Sequence, residues 1–388
     1  MTETAVVYTA LASSEEAGRD LGAQISGALK GAAPGAVIVF ASARYDYGAL
    51  LRALEAACLP GCLMGSSSAG EFTNSRNGEG TACALAIRSS DMLFSLGVGR
   101  GVGADRRTAA AEVVSSFRGS STHSFPFRSA LVMTDALAGY TDDLIDQLTV
   151  ATSGMYQFFG GGGGDDGRFR QTHVFVGHEA LTDAVVALEM LSTKPMGVGV
   201  SHGWAPAGPG MRVTEAQGMR LVSLNGMPAV QMFREHAEAT GQTFDPADPL
   251  PFFLHNIIGI DTGVGHRLRV PLAVNADGSI ACASDIPTGA VVFIMKTTAG
   301  SAIEAAAGAT RSALAGLQGH KPHAALFFDC VATRLRMGEV FGVELSAVAE
   351  LLGSANLVGC NTYGQIARAE GQFGGFHNCT AVVCVLPE

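Results

Sequence analysis

The residues best placed to contact a ligand follow an apolar segment near the end of the chain. Arg334 and Arg336 come directly after an apolar run at 325–330, which is typical of a buried strand. A guanidinium at the carboxyl end of a parallel strand can hold an anionic group. The same two residues fit the solvated first turn of a helix equally well, so the sequence leaves both interpretations open.

Histidines are the candidates for metal or cofactor ligation. His377 opens an apolar stretch at 375–386, and in a strand it shares a face with Cys379. His202 and His173 lie in similar short segments. An imidazole can bond a polar group or bind a metal, but a partly buried histidine more often has a structural role. No paired spacing among the ten histidines selects a metal site.

Nucleophilic catalysis has candidate residues but no supporting motif. Cys330 or Ser68 could act with a histidine in a hydrolase or transferase, yet no motif places a base beside either. The chain lacks G-x-S-x-G, H-E-x-x-H and the P-loop pattern. Asp165 and Asp166 follow five glycines, and carboxylates in such a turn usually bond local backbone amides. We therefore expect a binding protein and not an enzyme.

A repeated segment positions many of these residues. Residues 36–72 and 324–366 each predict a strand, a helix, a second strand and a tight turn rich in glycine, and a weaker copy runs from 130 to 166. This repetition predicts an α/β fold (mixed α+β) of two related halves, with mixed sheets and Gly-rich turns at strand ends. In open α/β sheets, small ligands bind beside such turns. The aligned positions are Gly65 and Gly359, Gly70 and Gly364, and Glu71 and Gln365.

The chain is long enough for two domains, because 388 residues exceed one ordinary core. A Gly- and Pro-rich region with short strand-like pieces ends near residue 223, and a helix is predicted at 230–240. We therefore predict one domain at 1–222 and a second at 223–388.

Composition excludes some classes of partner. The net charge of −10, from 25 basic and 35 acidic residues, argues against nucleic-acid binding. No apolar stretch approaches the roughly 18 residues that cross a bilayer, and no secretory signal is recognisable. Most of the eight cysteines lie in apolar runs, as free cysteines do in reducing compartments. We expect a cytoplasmic protein without a membrane partner.

A series of motifs in order along the chain resembles the FIST sensory domain, a module with N- and C-terminal parts found in signalling proteins. Each motif is weak alone, while the series covers nearly the whole chain. The motifs are GSSSAGEF (65–72), FFGGGGGDDGRF (158–169), VSHGWAPAG (200–208), RVTEAQG (212–218), LNGMPA (224–229), DGSIACASDIPTGAVV (277–292), FDCVATR (328–334), GCNTYGQI (359–366) and GFHNCTAVVCVL (375–386).

This resemblance implies a ligand-binding signalling domain of bacterial type, with an N-type part at 1–222 and a C-type part at 223–388. Gln365 stands where the family usually has Glu, which removes a charge and could change the preferred ligand. The segment from Cys330 to Arg334 also departs from the family pattern, because it carries Ala-Thr before its arginine. By motif, the residues that line or shape the pocket are Gly65, Ser68, Gly70, Glu71, Gly161, Asp165, Arg334, Tyr363, Gln365, His377 and Asn378.

Two sensing functions follow from the resemblance. The first is a haem-dependent nitric oxide sensor, similar to free-standing family members that act on a partner histidine kinase or a cyclic-dinucleotide enzyme (a diguanylate cyclase or phosphodiesterase). It requires haem b, with His377 or His202 as the axial ligand and Arg334 or Arg336 near a propionate. The alternative is a sensor of a small polar metabolite such as an amino acid, in which Glu71 and Arg334 pair with a zwitterion.

Overall fold

The computed structural model describes residues 2–119, 121–122, 124–368 and 375–388. Over these residues the strands form four sheets, of which three have six strands each and the fourth has nine. Helices lie between many of the strands. The mixed α/β class predicted from the sequence is confirmed. Within the same residues, no helix is long and apolar enough to cross a membrane.

The three six-stranded sheets come from three units that repeat the same order of elements. Each unit runs strand, helix, strand, helix, strand, then a short two-stranded arm, then a last strand. The sequence indicates two clear copies and one weaker copy; in the described chain the three are equivalent, so the sheets divide into thirds and not into halves. The first unit comprises β1 (Thr2–Thr9), α1 (Ser14–Ala28), β2 (Ala36–Ser42), α2 (Tyr47–Cys58), β3 (Cys62–Ser68), the arm β4 (Glu71–Thr73) and β5 (Asn77–Gly78), and β6 (Ala82–Ser89).

The second unit follows at once and repeats this order with a longer loop before its arm. It comprises β7 (Met92–Arg100), α3 (Arg106–Ser115), β8 (Phe127–Thr134), a 3-10 turn (Ala136–Ala138), α4 (Thr141–Ala151), β9 (Gln157–Gly162), the arm β10 (Val174–Val176) and β11 (Glu179–Leu181), and β12 (Ala184–Ser192).

The third unit is interrupted after its first strand, β13 (Gly197–Ser201), by an inserted subdomain at 205–296, which we call the insert. The insert comprises β14 (Ala205–Pro206), β15 (Met211–Gln217), β16 (Arg220–Leu224), β17 (Met227–Pro228), α5 (Ala229–Thr240), α6 (Leu250–Phe253), β18 (Ile257–Asp261), β19 (His266–Arg269), β20 (Pro271–Val274), β21 (Ile280–Cys282) and β22 (Val291–Lys296). These strands form the nine-stranded antiparallel sheet.

The third unit resumes after the insert. It comprises α7 (Ala299–Gly316), β23 (Pro322–Cys330), α8 (Val331–Met337), a 3-10 turn (Gly338–Val340), α9 (Phe341–Leu352), β24 (Asn356–Thr362), the arm β25 (Gln365–Arg368) and β26 (Phe376–His377), and β27 (Ala381–Pro387). The boundary predicted at 222/223 falls inside β16, and therefore within the insert and not between two units.

Each unit passes its arm to the sheet of another unit. The first unit's β4 pairs with β24 of the third, the second unit's β10 pairs with β3 of the first, and the third unit's β25 pairs with β9 of the second. In every sheet the two middle strands joined by a helix are parallel (β2 with β3, β8 with β9, β23 with β24). The exchange is cyclic, so the three units enclose a common centre.

Apolar packing follows the same symmetry. One central core takes side chains from all three six-stranded sheets, including Phe40, Phe159 and Phe328. Three outer cores pack the helices of each unit on the other face of its sheet. The insert has a core of its own around Phe233 and Phe253. A sheet covered on both faces explains why strands such as β2 and β23 read as nearly continuous apolar runs.

Candidate functional site

The three Gly-rich turns meet at the centre, where they are joined by equivalent backbone hydrogen bonds. The amide of Ala69 donates to the carbonyl of Asn361 (3.0 Å), and that of Tyr363 donates to Gly162 (3.1 Å). The amide of Gly164 completes the set by donating to Ser67 (2.9 Å). Because each bond links a different pair of units, the turns hold the three units together as well as ending their strands.

Glu71 and Gln365 occupy equivalent positions and have equivalent structural partners. Glu71 accepts hydrogen bonds from the Ser68 hydroxyl and from both the amide (3.1 Å) and the hydroxyl of Thr81. Gln365 accepts from the amide of Thr380 (3.2 Å) and donates to Thr362 (2.9 Å). Both side chains are fully buried. Each therefore fastens the turn of its unit to the start of the last strand of the same unit.

Burial makes Glu71 a weaker acid than an exposed glutamate. Loss of water around the carboxyl raises the pKa of Glu71 to about 7, although the bonds from Ser68 and Thr81 oppose that shift. The amide at position 365 avoids this titration while keeping the same attachment. Glutamine in place of glutamate at position 365 therefore changes a buried structural contact of the turn.

Asp165 organises the loop that leads into the second unit's arm. Its carboxylate accepts hydrogen bonds from the amides of Phe169 (2.8 Å), Arg170 (2.7 Å) and Gln171 (3.0 Å) and from the Tyr363 hydroxyl. Burial alone would raise the pKa of Asp165, but these bonds outweigh it and lower the pKa. Asp165 is thereby a turn residue that bonds local amides, as the sequence predicts.

This loop places the Phe169 ring against the Tyr363 ring. Phe169 stacks on Tyr363 with ring centroids 4.3 Å apart and planes 14° apart. The neighbouring carboxylate points elsewhere: Asp166 accepts a hydrogen bond from Ser42 (2.9 Å) of the first unit. The two adjacent aspartates therefore serve different contacts and do not form an acid–base pair.

Arg334 lies in α8 and reaches toward the arm of the first unit. Its guanidinium donates to the carbonyl of Gly78 (3.2 Å) and to the side-chain oxygen of Asn361 (3.1 Å). It also pairs with Glu79 at 3.2 Å. A side chain at Gly70 would collide with this guanidinium. The sequence left open whether Arg334 begins a helix or binds a nearby group. In the structure it does both: it lies in α8, and its guanidinium binds the backbone carbonyl of Gly78.

Each candidate axial histidine donates a hydrogen bond through Nε2 to a backbone carbonyl. His202 accepts a hydrogen bond at Nδ1 from the amide of Trp204 (3.3 Å), so Nε2 carries the proton and donates to the carbonyl of His266 (3.1 Å). His377 donates through Nε2 to the carbonyl of Ala367 (3.0 Å). Burial lowers the pKa of His377 to about 4, so the ring is neutral.

A cavity of about 80 Å³ lies between the turns and the insert, and we call it the ligand cavity. Its walls come from the second unit, from the third unit and from the part of the insert around β20 and β21. They are mostly apolar, with the Phe169–Tyr363 stack on one side. The lining residues are Ala136, Leu137, Phe169, Val270, Leu272, Ala283, Cys330, Val331, Ala332, Tyr363, Gly364 and Asn378.

Asn378 is the polar feature of this wall. It is 2% exposed, and its side-chain oxygen has no hydrogen-bond partner, whereas its amide nitrogen donates to the carbonyl of His377 (3.3 Å). A buried acceptor without a partner costs roughly 1–3 kcal/mol. A ligand with an N–H or O–H group would remove that cost.

The floor of the cavity carries a thiol. Cys330 is 3% exposed and forms a side-chain hydrogen bond with Cys379. That bond lowers the pKa of Cys330 to about 6 against the opposing effect of burial, with help from the amide of Ala332 and the side chain of Gln365. Ser68, the other candidate nucleophile, is fully buried and donates a hydrogen bond to the Glu71 carboxylate.

The ligand cavity does not suit a haem. The cavity is several times smaller than the roughly 300 Å³ or more that a drug-sized ligand needs. Its lining contains neither histidine nor arginine. No group of three or more His, Cys, Asp or Glu residues in the described chain is arranged to hold a metal ion.

The cavity includes Tyr363 and Asn378 from the set predicted to line or shape a pocket. The other members are not part of its lining: Gly65, Ser68, Gly70, Glu71, Gly161, Asp165, Arg334, Gln365 and His377. Reasoning from the sequence missed the insert's contribution (Val270, Leu272 and Ala283), since small and apolar residues in a meander carry no signal of a ligand contact.

Comparison with protein-family models gives two adjacent matches. The model described as the FIST N domain matches residues 35–227, and the model described as the FIST C domain matches residues 229–368. Together they cover most of the chain. The join between them lies next to β17 and the start of α5.

Curated relatives carry no described activity. Proteins named only as uncharacterized, from Mycobacterium bovis and Mycobacterium tuberculosis, are each 31% identical over 235 residues. The match covers 57% of this chain and 58% of each relative, so it spans less than two thirds of their length.

Solved structures resemble the chain only weakly. Cyanuric acid hydrolase from A. caulinodans has a TM-score of 0.34 at 8% identity, with both chains fully covered. T. maritima PurL complexed with ATP has a TM-score of 0.22 at 12% identity, over 100% of this chain and 71% of that chain. Neither likeness supports a conclusion about fold or function.

Proposed function

Because the chain belongs to the FIST family, whose domains are sensory and bind small ligands, we propose that it senses a small uncharged molecule held in the ligand cavity. The observation that carries this proposal is a mostly apolar cavity lined by Asn378, a buried residue whose side-chain oxygen has no hydrogen-bond partner. A binding protein can leave such an acceptor for its ligand, whereas a structural core would satisfy it. FIST domains are sensory rather than catalytic.

The chemistry of the wall defines the ligand class. The lining contains no Asp, Glu, Lys, Arg or His among the described residues, so the carboxylate of an amino acid would lose its hydration without a cationic partner. Glu71 and Arg334, which the amino-acid hypothesis requires, are engaged elsewhere. The aromatic face of Phe169 and the acceptor of Asn378 together suit a flat or compact molecule with one hydrogen-bond donor. A volume of this size holds roughly five to eight non-hydrogen atoms.

The test is a thermal-shift screen of the purified protein against small neutral amides, lactams, alcohols and heterocycles, with amino acids as a comparison group. A ligand that binds only the folded state raises the melting temperature in proportion to its occupancy. We expect shifts from members of the neutral group and none from amino acids. Shifts confined to amino acids would contradict the proposed class.

Two matched variants locate the site. Ala283→Leu fills the cavity, whereas Ala273→Leu adds the same atoms at an exposed position on the adjacent strand β20. We expect the first to abolish the ligand-induced shift and the second to preserve it. Asn378→Ala should weaken binding about tenfold through loss of one hydrogen bond. An undiminished shift in Ala283→Leu would place the ligand elsewhere.

Haem-dependent nitric oxide sensing stays a prediction from the family resemblance, and the geometry of His202, His377 and the cavity does not support it. A haem titration followed by visible absorption tests it directly. A saturable one-to-one Soret band that shifts with nitric oxide in the ferrous form, and that is lost in His377→Ala or His202→Ala, would overrule the neutral-ligand proposal. Regulation of a histidine kinase or a cyclic-dinucleotide enzyme likewise stays a prediction.

A further inference from the structure

Two cysteines from distant parts of the third unit meet beneath the ligand cavity. Strand β23 pairs antiparallel with β27, with Phe328 opposite Val382. Cys330 ends β23 and Cys379 comes just before β27, and this register, continued by two residues, puts Cys330 opposite Thr380, the residue next to Cys379. Both side chains belong to the apolar cluster where the insert meets the third unit, and each thiol shifts the pKa of the other.

The pair lies between two cavities. Cys330 lines the ligand cavity on one side, while Cys379 lines a smaller space of about 10 Å³ on the other. Arg336 also lines the smaller space and stabilises negative charge on either sulfur. A small molecule in the ligand cavity can therefore reach Cys330, and Cys379 is in direct contact behind it.

The electrostatic setting distinguishes Cys330 from the other buried thiols. Its sulfur has donors from the Cys379 thiol, the Ala332 amide and the Gln365 side chain, and these favour the thiolate. Burial instead raises the pKa of Cys83, Cys360 and Cys384, which keeps those three thiols protonated. Reactivity with an oxidant requires the thiolate and access, and Cys330 combines both.

We propose that Cys330 and Cys379 are a redox-active pair that a small hydroperoxide oxidises to a disulfide. The sulfur of Cys330 attacks the peroxide and its O–O bond breaks, which gives a sulfenic acid on Cys330 and releases an alcohol, or water from hydrogen peroxide. The sulfur of Cys379 then attacks the sulfenic sulfur, the S–O bond breaks, and water leaves. The two thiols lose two protons and two electrons in total, and the peroxide accepts them.

The size of the cavity selects the oxidant. A peroxide of a few atoms fits a space of about 80 Å³ with mostly apolar walls, whereas oxidised glutathione is far larger and carries several charges. We therefore expect oxidation by hydrogen peroxide or a small alkyl hydroperoxide and resistance to oxidised glutathione. The reaction needs no ligand in the cavity, so it can succeed or fail independently of the proposed sensing function.

The test is peptide mass spectrometry of the fully reduced, folded protein after limited treatment with hydrogen peroxide. We expect a cross-linked peptide pair containing Cys330 and Cys379, with a mass loss of two hydrogens, and full reversal by dithiothreitol. The two thiols should be lost at least ~10-fold faster than those of Cys83 and Cys360. Cys379→Ala should stop at a sulfenic acid on Cys330 that dimedone captures.

Cys62 provides the control, because it is the cysteine with partial exposure at the surface. Cys62→Ser should leave the cross-link and its rate unchanged. If Cys62 is oxidised first while Cys330 and Cys379 stay reduced in the folded protein, the proposal is overturned. Equal yields with oxidised glutathione would overturn the selection by cavity size. A circular dichroism spectrum before and after treatment excludes cross-linking of unfolded chains.

Discussion

Glu71 and Gln365 are one structural position filled in two ways. Each attaches a strand-end turn to the threonine that begins the last strand of its unit, Thr81 or Thr380. Only the carboxyl can titrate there. Because the pKa of Glu71 is raised by burial from 4.5 to about 7, folding favours its protonated form.

Glu71→Gln should remove a pH-dependent loss of stability. For an acid whose folded pKa is raised, the contribution to stability is complete below pH 4.5 and is lost as the pH rises through about 7. The loss in the wild type amounts to about 3 kcal/mol. We therefore expect the variant to gain on the wild type between pH 5 and 8, measured by urea unfolding at each pH. Glu350→Gln, at an exposed site in α9, should show no such trend; an equal trend in both would refute the assignment to Glu71.

Tyr363 supports the cavity wall through the Asp165 carboxylate. Tyr363→Phe keeps the ring that stacks on Phe169 but removes the hydroxyl that donates to Asp165. We expect a loss of about 1–3 kcal/mol in the free energy of unfolding, since a buried carboxylate loses one donor. Thermal unfolding measures it, with Tyr140→Phe at an exposed tyrosine as the control. Equal stability of both variants would show that the hydroxyl has no such role.

At the scale of elements, one glycine in each unit permits the parallel pair of strands. A side chain at Gly65, Gly160 or Gly359 would collide with the carbonyl of the residue opposite on the neighbouring strand: Val39, Val132 or Phe327. Gly160 also has φ +138, which other residues rarely adopt. The same steric requirement explains why the repeats align at their glycines.

Gly160→Ala should therefore destabilise the second unit strongly. We expect a cost of about 3 kcal/mol or more, from the collision with the Val132 carbonyl and from the backbone angle together. Chemical denaturation measures it. Gly208→Ala is the matched control, because an added Cβ there meets nothing within 4 Å. A cost below 1 kcal/mol at Gly160 would mean that the strands can separate slightly without loss.

At the scale of the whole molecule, the insert is held over the turns by a buried ion pair. Arg269 of β19 is 1% exposed and contacts Asp142, in the first turn of α4, at 2.6 Å. Ser284 also donates to Asp142 (3.1 Å). The contact joins the insert to the second unit beside the ligand cavity, so it fixes the distance between the cavity's two sides.

Asp142→Ala should weaken the attachment of the insert to the second unit. The buried charge of Arg269 would lose its main partner, and breaking such a pair costs about 3–5 kcal/mol. We expect faster proteolysis at the connections near residues 202 and 298 and loss of ligand-induced thermal shifts. Asp277→Ala, which breaks the exposed pair with Arg220 inside the insert, should affect neither measurement. Unchanged proteolysis in Asp142→Ala would show that the insert is held by its apolar contacts.

Part of this structure could be predicted from the sequence. Apolar runs, the spacing of glycines and the match of Glu71 with Gln365 predicted strands, turns and repetition, because each depends on residues close along the chain. The tertiary structure alone decided that the arms pass between units, that Arg334 binds backbone near Gly78, and that Ala283 faces Asn378 across one cavity. These contacts join residues far apart in sequence, and they follow from the path of the whole chain, which no local pattern encodes.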